Sequence, residues 1–314
     1  MDYILLIIGF ILLVKGADFF VDGSSAIARY FKIPSIIIGL TIVAMGTSAP
    51  EAAVSITAAV SGSNGIAVGN VLGSNVFNLL VVLGFASIIK ACPVHKETIR
   101  DEFPLSIIAA VLAGAFALLS IGGGQGLHFS RIEGIIFLVI FAVFLINMVR
   151  KALANPATHN EEEIAEVNLP KSIALSVIGL AGIIFGGDLV VDSASAIATS
   201  FGIDETLVGL TIVAIGTSLP EWVTSVTAAM KGETDIAVGN VIGSNIFNIL
   251  FVLGLSVTIH PVPIEMISVY DALFVVIASI VVLIPCLRTR HITRKWGIFY
   301  IVLYAAYMVY IIMR

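Results

Sequence analysis

Charge is scarce in this sequence. Its 314 residues hold 16 Lys and Arg and 21 Asp and Glu, 12% in all, against roughly 25% in soluble domains. A chain with so little charge cannot cover a soluble surface. Cysteine is almost absent: Cys92 and Cys286 lie near the ends of apolar runs, where they read as ordinary free thiols, and a disulfide scaffold is excluded. The five histidines (His95, His128, His159, His260 and His291) fall in loops or at span ends. The net charge of −5 says little where the placement of charge matters more than its sum, but apolar runs fill the chain and leave no soluble domain, so nucleic-acid binding is excluded. No cleavable signal peptide is visible, because the first apolar run is too long and carries Lys15 near its middle; it reads as a membrane helix.

What is abundant is hydrophobicity, at 59% of residues with a mean hydropathy of +1.09. Runs long enough to span a bilayer recur along the whole chain, which makes it an integral membrane protein. Ten spans are expected, over roughly 3–28, 34–60, 66–90, 103–120, 131–149, 171–199, 205–230, 236–259, 268–287 and 295–313. Loops after odd-numbered spans hold 13 Lys and Arg and the opposite loops hold only Arg131 and Arg314. Basic residues collect in cytoplasmic loops, so both termini are expected outside and residues 150–170 in the cytoplasm. That segment contains Glu161, Glu162, Glu163 and Glu166 but lacks the alternating Asp/Asn/Gly pattern of a calcium loop, and reads as a solvated linker.

Self-similarity is the strongest feature. GLTIVAMGTSAPEAAVSITAAVSGSNGIAVGNVLGSNVFNLLVVLG, from Gly39 to Gly84, aligns without a gap on GLTIVAIGTSLPEWVTSVTAAMKGETDIAVGNVIGSNIFNILFVLG, from Gly209 to Gly254, with two-thirds of positions identical. The offset of 170 positions also pairs Asp18 with Asp188 and Asp22 with Asp192. Five spans per half force the second half to insert upside down. The expected fold is an all-α polytopic membrane protein of ten transmembrane helices in two inverted five-helix repeats, residues 1–149 and 171–314, joined by the linker 150–170. Such repeats with interrupted helices are typical of secondary transporters, whose sites lie near the midplane; a channel built from repeats stays open at this point.

Each repeat holds Gly-Thr-Ser-x-Pro-Glu: Gly46, Thr47, Ser48, Pro50, Glu51 and Gly216, Thr217, Ser218, Pro220, Glu221. Proline cannot donate to the carbonyl four residues back, so Pro50 and Pro220 should break their helices and free carbonyls that must be buried in protein or face a cation. Ala44, Thr47, Ser48 and Glu51 share one helix face, and Ser74 with Asn78 and Ser244 with Asn248 add polar atoms at i and i+4. All these groups offer oxygen, the choice of Ca²⁺ and Na⁺, whereas His and Cys, which zinc or copper would require, are missing from the motifs. No basic residue in these helices pairs with Glu51 or Glu221, so a cation is their natural counter-charge. Asp18, Asp22, Asp188 and Asp192 read as a vestibule or a solvated helix face. Gly69-Asn70 and its copy at Gly239 lack the context of a phosphate loop, and read as close helix packing. No nucleophile and base stand together in the spans, which ranks a membrane enzyme behind both transporter and channel.

On these residues the chain resembles the cation/calcium exchanger superfamily in its prokaryotic Na⁺/Ca²⁺ exchanger branch, over essentially all ten spans. The resemblance implies that the second, third, seventh and eighth spans enclose one Ca²⁺ site and several Na⁺ sites. By that resemblance Glu51 and Glu221, with the carbonyls of Thr47 and Thr217, match the Ca²⁺ ligands. Ala44, Ser48 and Ser74 match an inner Na⁺ site, and Ala214, Thr217, Ser218 and Ser244 an outer one; Asn78 and Asn248 match the central positions. One position departs: some archaeal relatives, and in a related sense the potassium-dependent branch, carry Asp where this chain has Asn248, which leaves the middle site and K⁺ dependence open. The proton/calcium branch, with its Gly-Asn entry, ranks second. The expectation is electrogenic Ca²⁺ extrusion coupled to Na⁺ entry by alternating access, in the plasma or inner membrane. Ca²⁺ and Na⁺ are then the transported substrates, and neither a cofactor nor an obligate protein partner is inferred.

Overall fold

A computed structural model describes residues 1–61, 64–119, 127–154, 156, 167–201 and 214–313. Its helices are α1 (Asp2–Tyr30), α2 (Ser35–Thr47), α3 (Ala49–Val60), α4 (Asn64–Phe77, running on into Leu83–Ile89), α5 (Lys96–Leu119) and α6 (Arg131–Ala154) in the first half. The second half has α7 (Leu169–Ser200), the short turn Ala214–Gly216, α8 (Leu219–Lys231), α9 (Thr234–Ile259), α10 (Met266–Thr289) and α11 (Arg294–Met313). Among the described residues seven helices are long and apolar enough to cross a membrane, or eight when α2 and α3 count as one bent span. The expected seventh span lies outside the described residues over 205–213, as do the four linker glutamates.

α4 and α9 form the centre. The most apolar stretch of α9 is 94% buried and that of α4 78%, against 28–44% for the other crossing helices. Peripheral helices divide into a protein face and a lipid face. On α6, Phe137, Phe141, Phe144 and Met148 point inward, while Ile132, Ile135, Val139, Val143 and Ile146 stay exposed at three- and four-residue spacing. That stripe is the surface a bilayer would cover, since hydrocarbon imposes no penalty on exposed aliphatic side chains.

Close approaches at glycines organise the packing, and those between α1 and α7 and between α2 and α9 bear on the site. α1 and α7 cross with Gly16 against Gly179, where a Cβ on either would stand within 2.7–2.8 Å of the other's carbonyl oxygen. α2 meets α9 in the same manner: a Cβ at Gly39 would press on the Ile236 carbonyl, and one at Gly239 on that of Ile36. The packing role expected of Gly239 is thus met. No described atom lies within 4 Å of a Cβ on Gly69, whose counterpart segment near Gly209 is outside the described residues.

The helical expectation needs one addition. Among the described residues four two-residue strands occur: β1 (Cys92–Pro93) pairs antiparallel with β4 (His291–Ile292), and β2 (His128–Phe129) with β3 (Val262–Pro263). They lie where loops from different helices run side by side, and pairing satisfies backbone groups that no helix can.

Candidate cation site

The chain breaks where proline requires it. α2 and α3 meet at 49°, with Ser48 at φ −82°, ψ 10° between them. Ser218 takes nearly the same conformation, φ −92° and ψ 4°, ahead of α8. Pro50 and Pro220 occupy the first turn of α3 and α8, where a missing N–H is no loss. Glu51 and Glu221 fall in those same first turns, at the positive end of each helix dipole, which favours a carboxylate.

Packing then crosses the halves. α3 lies along α4 of its own repeat, but α2 lies along α9 of the other. The serine at each break therefore reaches the carboxylate of the opposite half. Ser48 Oγ donates to Glu221 Oε1 at 2.6 Å, and Ser218 Oγ bonds Glu51 Oε1 at 2.9 Å. Ser218 also lies 3.0 Å from Ser74 Oγ, and Ser244 Oγ is 3.4 Å from the Ala44 carbonyl. These contacts pair the serines differently from the grouping that the resemblance implies. Ser244 joins Ala44, Ser48 and Glu221 on one flank, while Ser74 joins Ser218 and Glu51 on the other, because α2 packs on α9 and the Ala214–Gly216 turn packs on α4.

Glu51, Glu221, Thr47, Ser48, Ser218, Ser244, Asn78 and Asn248 are fully buried, and Ser74 and Thr217 nearly so. Ala214 begins the short helical turn ahead of the second break. Each carboxylate keeps one oxygen, Oε2, with no hydrogen-bond partner among the described residues, and so do Asn78 Oδ1 and both polar atoms of Asn248. No Lys, Arg or His among the described residues is buried. Two buried carboxylates with idle oxygens and no cationic side chain are costly unless a cation joins them. Asn78 and Asn248 each begin a π-helical stretch, Asn78–Val82 and Asn248–Leu253, a widening that often accompanies function.

The four aspartates stand elsewhere. Asp18 and Asp22 are held by Lys231 Nζ at 2.8 and 2.6 Å, tying α1 to the end of α8. Asp188 and Asp192 lie exposed on α7. The sequence reading missed Asn70 and Asn240 as hydrogen-bonding residues of the site, taking their motif as packing; each bonds the polar framework of both halves. Their exact repetition at the 170-residue offset was the available signal. Asn75 and Asn245 link the halves as well, each amide donating to the other's carbonyl at 3.3 Å.

A family model described as sodium/calcium exchanger protein matches residues 1–150 and 171–313. The chain is 41% identical to a putative antiporter, CaxA, of Alkalimonas amylolytica, covering 97% of this chain and 96% of that one. It is 33% identical to the sodium/calcium exchanger MaX1 of Methanosarcina acetivorans, over 98% and 97% of the two chains. Among solved structures it resembles the sodium-calcium exchanger NCX_Mj soaked with Na⁺, with a TM-score of 0.86 and 31% identity over 98% of each chain.

Proposed function

The chain belongs to the sodium/calcium exchanger protein family, and from that premise and the geometry of the site we infer that it is a secondary antiporter exchanging Na⁺ for Ca²⁺ across a membrane. The observation that carries the reading is the pair of buried carboxylates, Glu51 and Glu221, each anchored by a serine of the opposite half and each with one idle oxygen. Together they bring a charge of about −2, which one Ca²⁺ cancels. Glu51, Glu221 and the backbone of Thr47 and Thr217 serve Ca²⁺. Ala44, Ser48 and Ser244 form one Na⁺ flank, Ala214, Thr217, Ser218 and Ser74 the other, and Asn78 and Asn248 stand between. Binding by both halves suits alternating access, since the site is completed only where they meet.

The architecture we infer is ten crossings in two inverted halves, 1–149 and 171–314, about the linker 150–170. α2 with α3, and the turn Ala214–Gly216 with α8, then each make one broken crossing. The strand pairs support this count. β1 and β4 follow the third and ninth crossings and β2 and β3 the fourth and eighth, so each pair joins loops that alternation puts on one side. The excess of basic residues in the loops on the β1 side supports a cytoplasmic position for that side in a cell membrane, with both termini outside.

Uptake of labelled Ca²⁺ into proteoliposomes, driven solely by an outward Na⁺ gradient, tests the function. Coupled accumulation above equilibrium supports it. Ca²⁺ entry that merely follows its own gradient would assign a channel instead.

A further inference from the structure

Asn70 and Asn240 occupy equivalent places in the two halves and make equivalent sets of three bonds. Asn240 Nδ2 donates to the Glu221 carbonyl at 3.4 Å and the Ser225 hydroxyl at 2.9 Å, both on α8 of its own half. Its Oδ1 accepts from the Thr47 hydroxyl of the other half at 3.0 Å. Asn70 Nδ2 donates to the Glu51 carbonyl at 3.3 Å and to Ser55 Oγ at 2.9 Å, and its Oδ1 accepts from Thr217 Oγ1 at 3.3 Å. One side chain thus holds the helix that bears a carboxylate and, across the repeat boundary, the turn ahead of the opposite break. The amide suits this task because it donates and accepts at once, which neither a carboxylate nor an aliphatic group does.

We propose that Asn70 and Asn240 are positioning residues that set the aperture of the cation site, fixing the distance between each glutamate and the threonine turn facing it, and thereby its preference among divalent cations. Neither amide acts as a ligand. Both of the polar atoms on each are engaged by protein, unlike the idle oxygens of Glu51, Glu221, Asn78 and Asn248. Selectivity among hard cations follows cavity size and rigidity, so releasing a cross-brace should favour the larger ion. The Asn240 brace dominates: Asn240 is fully buried and its bond to Thr47 is the shorter, whereas Asn70 is half-buried.

This rests on the reading of the same cavity as a Ca²⁺ and Na⁺ site, and the test separates the two. Na⁺-driven uptake of Ca²⁺ and of Sr²⁺ is measured in proteoliposomes holding equal amounts of wild type, Thr47→Val, Thr47→Ser, Asn240→Ala and the double variant Thr47→Val/Asn240→Ala. Thr47→Val keeps the shape and the backbone carbonyl and removes only the hydroxyl donor. The expected result is a Ca²⁺ KM raised about three- to tenfold in Thr47→Val and Asn240→Ala, the range of one neutral hydrogen bond. The Sr²⁺ KM should rise less, Thr47→Ser should restore wild-type values, and the double variant should be no worse than the worse single one. Additive losses, equal scaling of both KM values, or a fall in maximal rate alone would overturn the brace while leaving the transport reading intact. Should Asn240→Ala not fold, the Thr47→Val and Thr47→Ser pair decides by the KM ratio alone. Wild-type protein without Na⁺-driven uptake would instead strike the underlying function.

Discussion

Ser48 donates to Glu221 across 173 positions of sequence, at 2.6 Å and in full burial. The contact exists because the helix carrying Ser48 breaks beside the opposite repeat, so each carboxylate is oriented by the half it does not belong to. A movement that separated the halves would uncouple both carboxylates from their serines together.

Removing either carboxylate charge should stop Ca²⁺ transport. Glu51→Gln and Glu221→Gln preserve size and the serine contact but halve the charge facing a divalent ion, and breaking a buried ionic contact costs about 3–5 kcal/mol. Na⁺-driven Ca²⁺ uptake is expected to fall by more than about a hundredfold. Detergent-extracted protein should still elute as a single species. Uptake near wild type in either variant would remove that glutamate from the site.

Much of this candidate site is legible in the sequence because a repeat marks its own paired polar residues: Glu51 and Glu221 stand at one offset, each one residue after a helix-breaking proline. What the sequence conceals is which half each polar group serves. Register along a helix places Ser74 near Asn78, but whether Ser74 meets Ser48 or Ser218 depends on which half's break packs against α4, a tertiary fact with no local signature. The π-helical stretches at Asn78 and Asn248 are hidden for a similar reason, since their composition is that of any apolar helix. The strand pairs are two residues long, too short for alternation to register.

Sidedness can be read by thiol labelling. Cysteines introduced near Thr158 should react only from the cytoplasmic side and those near Gln125 only from outside, as the distribution of basic residues requires. The native thiols give little background: Cys92 and Cys286 are both buried, and burial, aided by the charge of Asp235, pushes the Cys92 thiol up to about 12. An impermeant maleimide applied to intact cells and to inverted vesicles decides between the two orientations, and labelling with the reverse pattern would invert the assignment.

His95 gives the loop after α4 a pH-dependent tether. Its Nε2 lies 2.9 Å from Asp235 at the start of α9, and that hydrogen bond raises the imidazole pKa above its ordinary 6.5 against the opposing effect of burial. A raised folded pKa means the stabilisation is complete below the unfolded value and disappears as pH rises through the folded one. Wild type should therefore lose thermal stability relative to His95→Gln as pH climbs from about 6 to about 8.5. Paired melting curves across that interval check it, and a constant difference between the two proteins would show that the contact does not titrate.

The last prediction concerns which step of the cycle feels the membrane potential. With Asn78 and Asn248 neutral, the site carries about −2 from Glu51 and Glu221, so the Ca²⁺-loaded site is neutral and one holding about three Na⁺ carries about +1. Inside-negative potential should then speed Ca²⁺ extrusion by drawing the Na⁺-loaded form inward, each charge gaining about 2.3 kcal/mol per 100 mV. Ca²⁺/Ca²⁺ exchange, which moves only the neutral form, should ignore the potential. Asn248→Asp adds a third carboxylate beside the other two. At about pH 9 and without other monovalent ions, where carboxylates ionise readily, it leaves about −1 on the Ca²⁺-loaded form. In that variant Ca²⁺/Ca²⁺ exchange should become sensitive to the potential, and acid, by supplying a proton, should abolish the sensitivity. Wild-type Na⁺/Ca²⁺ exchange indifferent to potential would refute the charge count. An active Asn248→Asp protein whose Ca²⁺/Ca²⁺ exchange stays indifferent at high pH would place position 248 outside the ion site.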